Sequence, residues 1–261
     1  MSETRNYQKI LVEDSGAVRT ITLNEPERKN PLGPVVVNEL LYALDDARED
    51  ESVRVIVLTG AGTAFSAGAD LKQLGAGGEG ELPLKGGFPD LLLRFRELGK
   101  PVIARVPGIA MGGGLGLVSA CDFAIGCESA VLSTPEIKRG LFPFMIMAVM
   151  SRVVPRRRLL QMMLLGEKLS AKQALDAGLL THIAPDAELD EAVRELASQL
   201  AQQSPTAMRL GLTAFHRMSD QTMAEALPLL EADLMKALSS EDAREGLTAF
   251  LQKREPNFTG R

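Results

Sequence analysis

Residues 111–116 read MGGGLG, between the strand-like run PVIARV (101–106) and the apolar run LVSAC (117–121). Glycine loses more conformational freedom on folding than any other residue, so glycines this dense imply a tight turn or a close approach of backbone to something else. A second turn of this kind, GAGTAFSAGAD (60–70), follows the apolar run VRVIVLT (53–59). Strand, glycine-rich turn, helix, strand, met twice over, restricts the chain to a layered α/β fold.

The remaining pattern fits around these two turns. KILVED and VRTITLN form a hairpin about Asp14-Ser15-Gly16, and residues 34–50 place Val36, Val37, Leu40, Leu41 and Leu44 at helical spacing. Asp70 can cap a short helix beginning near Leu71. Residues 75–87 are glycine-rich and polar, which predicts a mobile loop; a helix over 89–98 and the strand DFAIG (122–126) follow. Beyond about residue 145 the chain reads as nearly all helix, broken at Pro155, Gly166, Pro185 and Pro205, with LLTHIA (179–184) the single strand candidate. The expected division is a mixed core over 1–195 and a helical region over 196–261. In the last helices the stripe Leu227, Leu230, Leu234, Ala237 and Leu238 serves either the core or a subunit interface.

Composition narrows the function. A net charge of −5, with no basic stretch interleaved with aromatics, argues against a nucleic-acid binder, and Arg156-Arg157-Arg158 reads as a solvated helix face. Cys121 and Cys127 read as small core residues of a reducing compartment, and two cysteines with two scattered histidines, His182 and His216, make no metal site. The longest uncharged run, Val106 to Cys121, holds Pro107 and five glycines and is too short to span a bilayer. With a polar N-terminus, the expectation is a soluble cytoplasmic protein with no membrane partner.

Each glycine turn leads towards a helix start, where backbone N–H groups lack partners and the dipole is positive. Two such turns facing one cleft would aim two donors at one oxygen, forming an oxyanion hole. The simpler alternative is that the glycines only allow tight turns and close packing. Dinucleotide binding is a weaker competitor: Gly60-Ala61-Gly62 follows a strand, but Phe65 stands where the third glycine belongs. Thr134-Pro135-Glu136 reads by itself as a helix N-terminus of cap, proline and first-turn acid. Asp122 reads as a buried structural carboxylate.

AFSAGADLK (64–72), PVIARVPGIAMGGGLGLVSACDFAIG (101–126), STPEIKRGLFP (133–143), LSAKQALDAGLL (169–180) and EDAREGLTAFLQKREPNF (241–258) together resemble the enoyl-CoA hydratase/isomerase (crotonase) family from about residue 7 onward. The resemblance implies a crotonase-like spiral of ββα units with an α-helical C-terminal trimerisation region, trimers often pairing into hexamers. It implies an acyl-CoA thioester as substrate, with no cofactor beyond the coenzyme A that the substrate carries. The thioester carbonyl would lie between the amides of Ala69, just after Gly68, and Gly113, with Gly112 beside it. Coenzyme A would be held by backbone around Ala67, Gly68, Asp70 and Leu71, with Lys72, Arg28 and Lys29 near its phosphates and Lys253 reaching it from the C-terminal helix. For each basic residue a solvated surface charge is the alternative.

Hydratases of this family carry two glutamates. The resemblance places the first at Gly116, where it is missing, and the second at Glu136, where it is kept. One carboxylate can take a proton from C2 of a 3-enoyl thioester and return it at C4, so the expectation leans to isomerisation. Hydration of an unusual 2-enoyl-CoA and acyl-CoA binding without turnover stay open. The bulky run Phe142 to Met147, with Phe144 at its centre, either reshapes an apolar acyl pocket or packs a helix into the core. If that run leaves room for water, a glutamate at 116 restores hydration.

Overall fold

The computed structural model describes residues 5–73 and 80–261. In chain order the elements are β1 (Ile10–Ser15), β2 (Val18–Leu23), α1 (Pro34–Glu49), β3 (Val55–Gly60), β4 (Ala64–Ser66), α2 (Phe88–Phe95), β5 (Val102–Val106), β6 (Ile109–Met111), α3 (Gly113–Ala120), β7 (Phe123–Cys127) and β8 (Val131–Ser133). There follow α4 (Met147–Met150), α5 (Arg156–Leu165), β9 (Lys168–Ser170), α6 (Ala171–Asp176), β10 (His182–Ala184), α7 (Leu189–Ala201), α8 (Pro205–Met218), α9 (Met223–Leu238) and α10 (Glu241–Gln252).

Two sheets organise the core. The larger runs β1-β2-β3-β5-β7-β10, parallel except for the β1–β2 hairpin, whose turn Gly16 makes at φ +59°. The smaller runs β4-β6-β8-β9, with only β8–β9 antiparallel. Three times the chain leaves a strand of the larger sheet and at once adds a strand to the smaller one: β3 to β4, β5 to β6, β7 to β8. A helix returns it after β4 and after β6; after β8 the chain adds β9 to the smaller sheet before α6 leads back to β10. This is the expected spiral of ββα units. The smaller sheet is invisible to periodicity because each of its strands has three residues, too few to alternate.

The α1 stripe packs as its spacing predicts, with all five apolar positions at most 6% exposed. Cys121 and Cys127 are buried free thiols. Pro155, Gly166 and Pro205 fall at helix ends, as expected. Other expectations need correcting. No helix begins at Leu71; residues 71–73 form a turn. The helix expected over 89–98 ends at Phe95, and β9 adds a second strand to the C-terminal half. Of the loop 75–87, residues 75–79 lie outside the described residues, while 80–87 are tied to α1 by Asn38, whose Nδ2 donates to Pro83 O (3.0 Å) and whose Oδ1 accepts from Lys85 N (2.7 Å).

Residue 195 falls inside α7, whose Leu189, Val193 and Ala197 join the core. The stripe on α9 stays outside it: Leu227, Leu234 and Leu238 are each half exposed or more, and Leu230 and Ala237 are half-buried. That removes the core reading for this stripe. Among the described residues no helix is long and apolar enough to cross a membrane.

Phe65, at the sequence position where a dinucleotide-binding motif would have its third glycine, is fully buried in β4 as part of the core. Phe65→Ala is expected to cost about 3–5 kcal/mol, and Phe65→Leu less, read from the denaturant midpoint.

Candidate active site

The two glycine turns meet because neither carries side chains at the crossing. Gly68 adopts φ +91°, and a Cβ there would lie 2.7 Å from Met111 O and 3.4 Å from Gly113 N. A Cβ on Gly113 would lie 3.8 Å from Ala69 N. Leu32 donates to Gly68 O (2.8 Å) and accepts from Asp70 N (3.0 Å), a parallel bridge that leaves the intervening Ala69 N–H turned away from Leu32. Gly112, at φ +49°, is the N-cap of α3 and donates to Ser133 O (3.0 Å); the first helical bond is Gly116 N to Gly112 O. Gly113 therefore stands ahead of the helical ladder with its N–H unclaimed by it. Ala69 and Gly113 both line a cleft of about 1010 Å³.

Glu136 lines the same cleft. It opens a 3₁₀ turn at Pro135–Arg139, and Thr134 makes no side-chain cap, so the expected capped α-helix is not formed. A Cβ on Gly112 would lie 2.7 Å from Glu136 Oε1, which seats the carboxylate against the glycine triplet. Its Oε2 is buried and has no hydrogen-bond partner among the described residues. Burial pushes the carboxyl up from its ordinary range, and Arg139 offsets part of this. The other acid that lines the cleft among the described residues, Asp70, is engaged: Oδ2 accepts from Arg28 (2.8 Å) and Oδ1 from Lys72 N (3.1 Å). Asp70 thus holds a turn and an arginine instead of capping a helix.

The bulky run 142–147 divides between its two readings, and of it only Met147 is not among the residues lining the cleft. Leu141 to Ile146 line the cleft, with Phe142 and Phe144 tilted against each other at 5.4 Å. Phe144 is 68% exposed, and Leu71 and Leu84 stand exposed on the same cleft, giving it an apolar rim. Ile146 is instead in the core, and a Cβ on Gly116 would lie 2.3 Å from its Cγ2 and 2.9 Å from its Cβ. The condition set on a glutamate at 116, that the bulky run leave room for it, is not met as the side chains stand: Ile146 occupies that space.

The basic residues are more scattered than expected. Arg28 is committed to Asp70 and, at 3.6 Å, to Glu25. Lys29 is exposed at φ +60°, its carbonyl accepting from Ala67 N (2.7 Å). Lys72 is exposed next to Asp70. Lys253 caps α10 at φ +54° and is not among the residues lining the cleft. Asp122 accepts from Val102 N (2.8 Å) away from the cleft, and burial raises it to about 6, as befits a structural carboxylate. Arg158 of the triple-arginine run pairs with Glu167 at 3.4 Å. No group of potential metal ligands occurs among the described residues.

Residues missed from sequence include Leu32, Phe88 and Leu82. Leu82 and Leu84, apolar inside the polar glycine-rich run, were the available signal.

The family model described as enoyl-CoA hydratase/isomerase matches residues 13–261. The chain is 32% identical over 252 residues to the mitochondrial enoyl-CoA hydratase domain-containing protein 3 of Xenopus laevis, covering 96% of this chain and 85% of that protein. It is 35% identical over 261 residues to a "probable enoyl-CoA hydratase" of Rhizobium meliloti, covering 98% and 100%. Among solved structures, the enoyl-CoA hydratase of Bacillus anthracis superposes with a TM-score of 0.89 at 31% identity, covering 97% of this chain and all of that one.

Overpacking at Gly116 costs about 1–3 kcal/mol. Gly116→Ala is expected to lower the melting temperature, and a double-mutant cycle with Ile146→Ala should return a coupling of about 0.5–3 kcal/mol, with the double variant more stable than the sum of the singles.

Proposed function

Since the chain belongs to the enoyl-CoA hydratase/isomerase family, we propose that its cleft binds an enoyl-CoA and moves a proton along the acyl chain, using Glu136 as the single acid–base group. The observation that carries this reading is that, among the described residues, Glu136 is the cleft carboxylate free of an ion pair, Asp70 being held by Arg28.

In this mechanism the thioester oxygen accepts from the Ala69 and Gly113 amides. Ionised Glu136 removes a proton from C2 of a 3-enoyl thioester; the C2–H electrons form C1=C2 and the carbonyl π electrons move onto the oxygen as negative charge, giving a dienolate that keeps C3=C4 until the carbonyl re-forms, C1=C2 becomes C2=C3 and C4 takes up a proton. The two amides favour that charge over the neutral carbonyl, and losing one such donor costs about 10²–10³ in rate. Protonated Glu136 then delivers the proton to C4, leaving a 2-enoyl thioester and a regenerated carboxylate. Burial of Glu136 brings its pKa closer to that of the working pH, which suits a group that must both take and give a proton.

Coenzyme A enters as part of the substrate. We assign its contacts to the backbone of Ala67–Leu71 and to Lys29 and Lys72, with Lys253 contributing if self-association brings it near. The exposed leucines of α9 support such self-association, as a trimer or hexamer. A second reading, hydration of a 2-enoyl-CoA, is favoured by the names of the relatives, which are called hydratases.

The test is turnover of matched 3-enoyl-CoA and 2-enoyl-CoA substrates. Formation of the conjugated product from the 3-enoyl substrate supports isomerisation; 3-hydroxyacyl-CoA alone supports hydration; saturable binding without turnover supports a carrier. Glu136→Gln is expected to lower kcat by about 10²–10⁴ while leaving coenzyme A affinity in place. The raised carboxyl must lose its proton to act as base, so kcat/KM should fall on acidification with a midpoint above the ordinary glutamate range.

A further inference from the structure

Three apolar side chains crowd the helix start that carries the Gly113 amide. Leu32 Cδ1 and Phe88 Cζ lie 3.4 and 3.5 Å from where a Gly113 Cβ would be, and Phe88 Cζ lies 3.7 Å from the Gly116 position. Ile146 completes this wall at 2.3 Å from the Gly116 position. It is 3% exposed and fixed at the head of α4, its carbonyl accepting from Met150 N (2.9 Å). None of these three side chains can accept or donate a hydrogen bond.

Adding water to a double bond needs a water held in position and a group to take its proton. A wall of hydrocarbon supplies neither. We propose that Ile146 is a specificity-determining residue: seated on Gly116, it keeps the reacting carbons dry, so the proton taken by Glu136 is returned to the substrate instead of water being added. This rests on the proton-transfer reading of Glu136 and deepens it, by assigning the choice between isomerisation and hydration to a contact between residues 116 and 146. The Phe88 ring and Leu32 bound the wall; Ile146 is the member whose removal opens space at Gly116.

The test compares wild type, Ile146→Ala and the double variant Gly116→Glu/Ile146→Ala on 3-hexenoyl-CoA and 2-hexenoyl-CoA, in H₂O and D₂O, with melting temperatures recorded for each. Wild type should isomerise with little hydration and incorporate little solvent deuterium at C4 early in the reaction. Ile146→Ala should incorporate severalfold more deuterium per turnover. The double variant, with a carboxylate in the vacated space, should hydrate 2-hexenoyl-CoA faster than wild type by roughly a hundredfold, the low end of what a positioned acid contributes. If the double variant does not fold, the isotope comparison on Ile146→Ala decides.

Unchanged deuterium uptake in Ile146→Ala, or wild-type hydration as fast as isomerisation, overturns the role of Ile146. A Glu136→Gln control separates the two ideas. Loss of isomerisation in that control, together with unchanged uptake in Ile146→Ala, removes the Ile146 proposal and keeps the base. Survival of isomerisation in Glu136→Gln removes the base itself.

Discussion

Everything at this site depends on two stretches of backbone passing within a Cβ's width of each other. Gly68, at positive φ, stands over Met111 O with no room for a methyl group, and the next nitrogen, that of Ala69, lies 3.8 Å from where a Gly113 Cβ would be. Gly112, also at positive φ, begins α3 so that Gly113 stands ahead of the helical ladder. Side chains at 68 or 112 would press on Met111 O or strike Glu136, and the close approach of the two turns would be lost. The strands themselves are three residues long and fully or half buried, so the donors sit on short, rigid supports.

Among the described residues two carboxylates line the cleft, in unlike environments. Asp70 is fixed by an arginine and a backbone amide and secures the turn bearing Ala69. Glu136 has a buried oxygen with no partner among the described residues, and burial raises its pKa. Environment rather than residue type thus sets the two apart, and it is this contrast on which the proposed role of Glu136 rests. Ser133 Oγ and Thr134 Oγ1, just before Glu136, are likewise buried without partners among the described residues. A polar segment left unsatisfied in this way costs stability, which is a common accompaniment of a reactive site.

Much of this was legible in the chain. The α1 stripe, the hairpin and the long strands follow from apolar period alone, and the glycine-rich runs marked the two turns that pass close to each other. Glu136 stood out after its proline, although as a 3₁₀ turn and not the capped helix its neighbours suggested. What escaped were contacts between distant residues. Arg28 lies 42 residues before the Asp70 it binds, which is why it read as a free phosphate ligand. Ile146 reaches Gly116 only through the packing of α4 on α3, so a glutamate at 116 looked easier to add than it is. The smaller sheet escaped because three-residue strands have no period to read.

The central claim is that the Ala69 and Gly113 amides share one thioester oxygen beside Glu136. A structure of the protein with hexanoyl-CoA, whose saturated chain cannot isomerise, measures this directly. The account predicts the carbonyl oxygen at about 2.7–3.1 Å from both nitrogens, with the Glu136 carboxylate facing C2. A carbonyl bound to neither amide, or C2 turned away from Glu136, would contradict it.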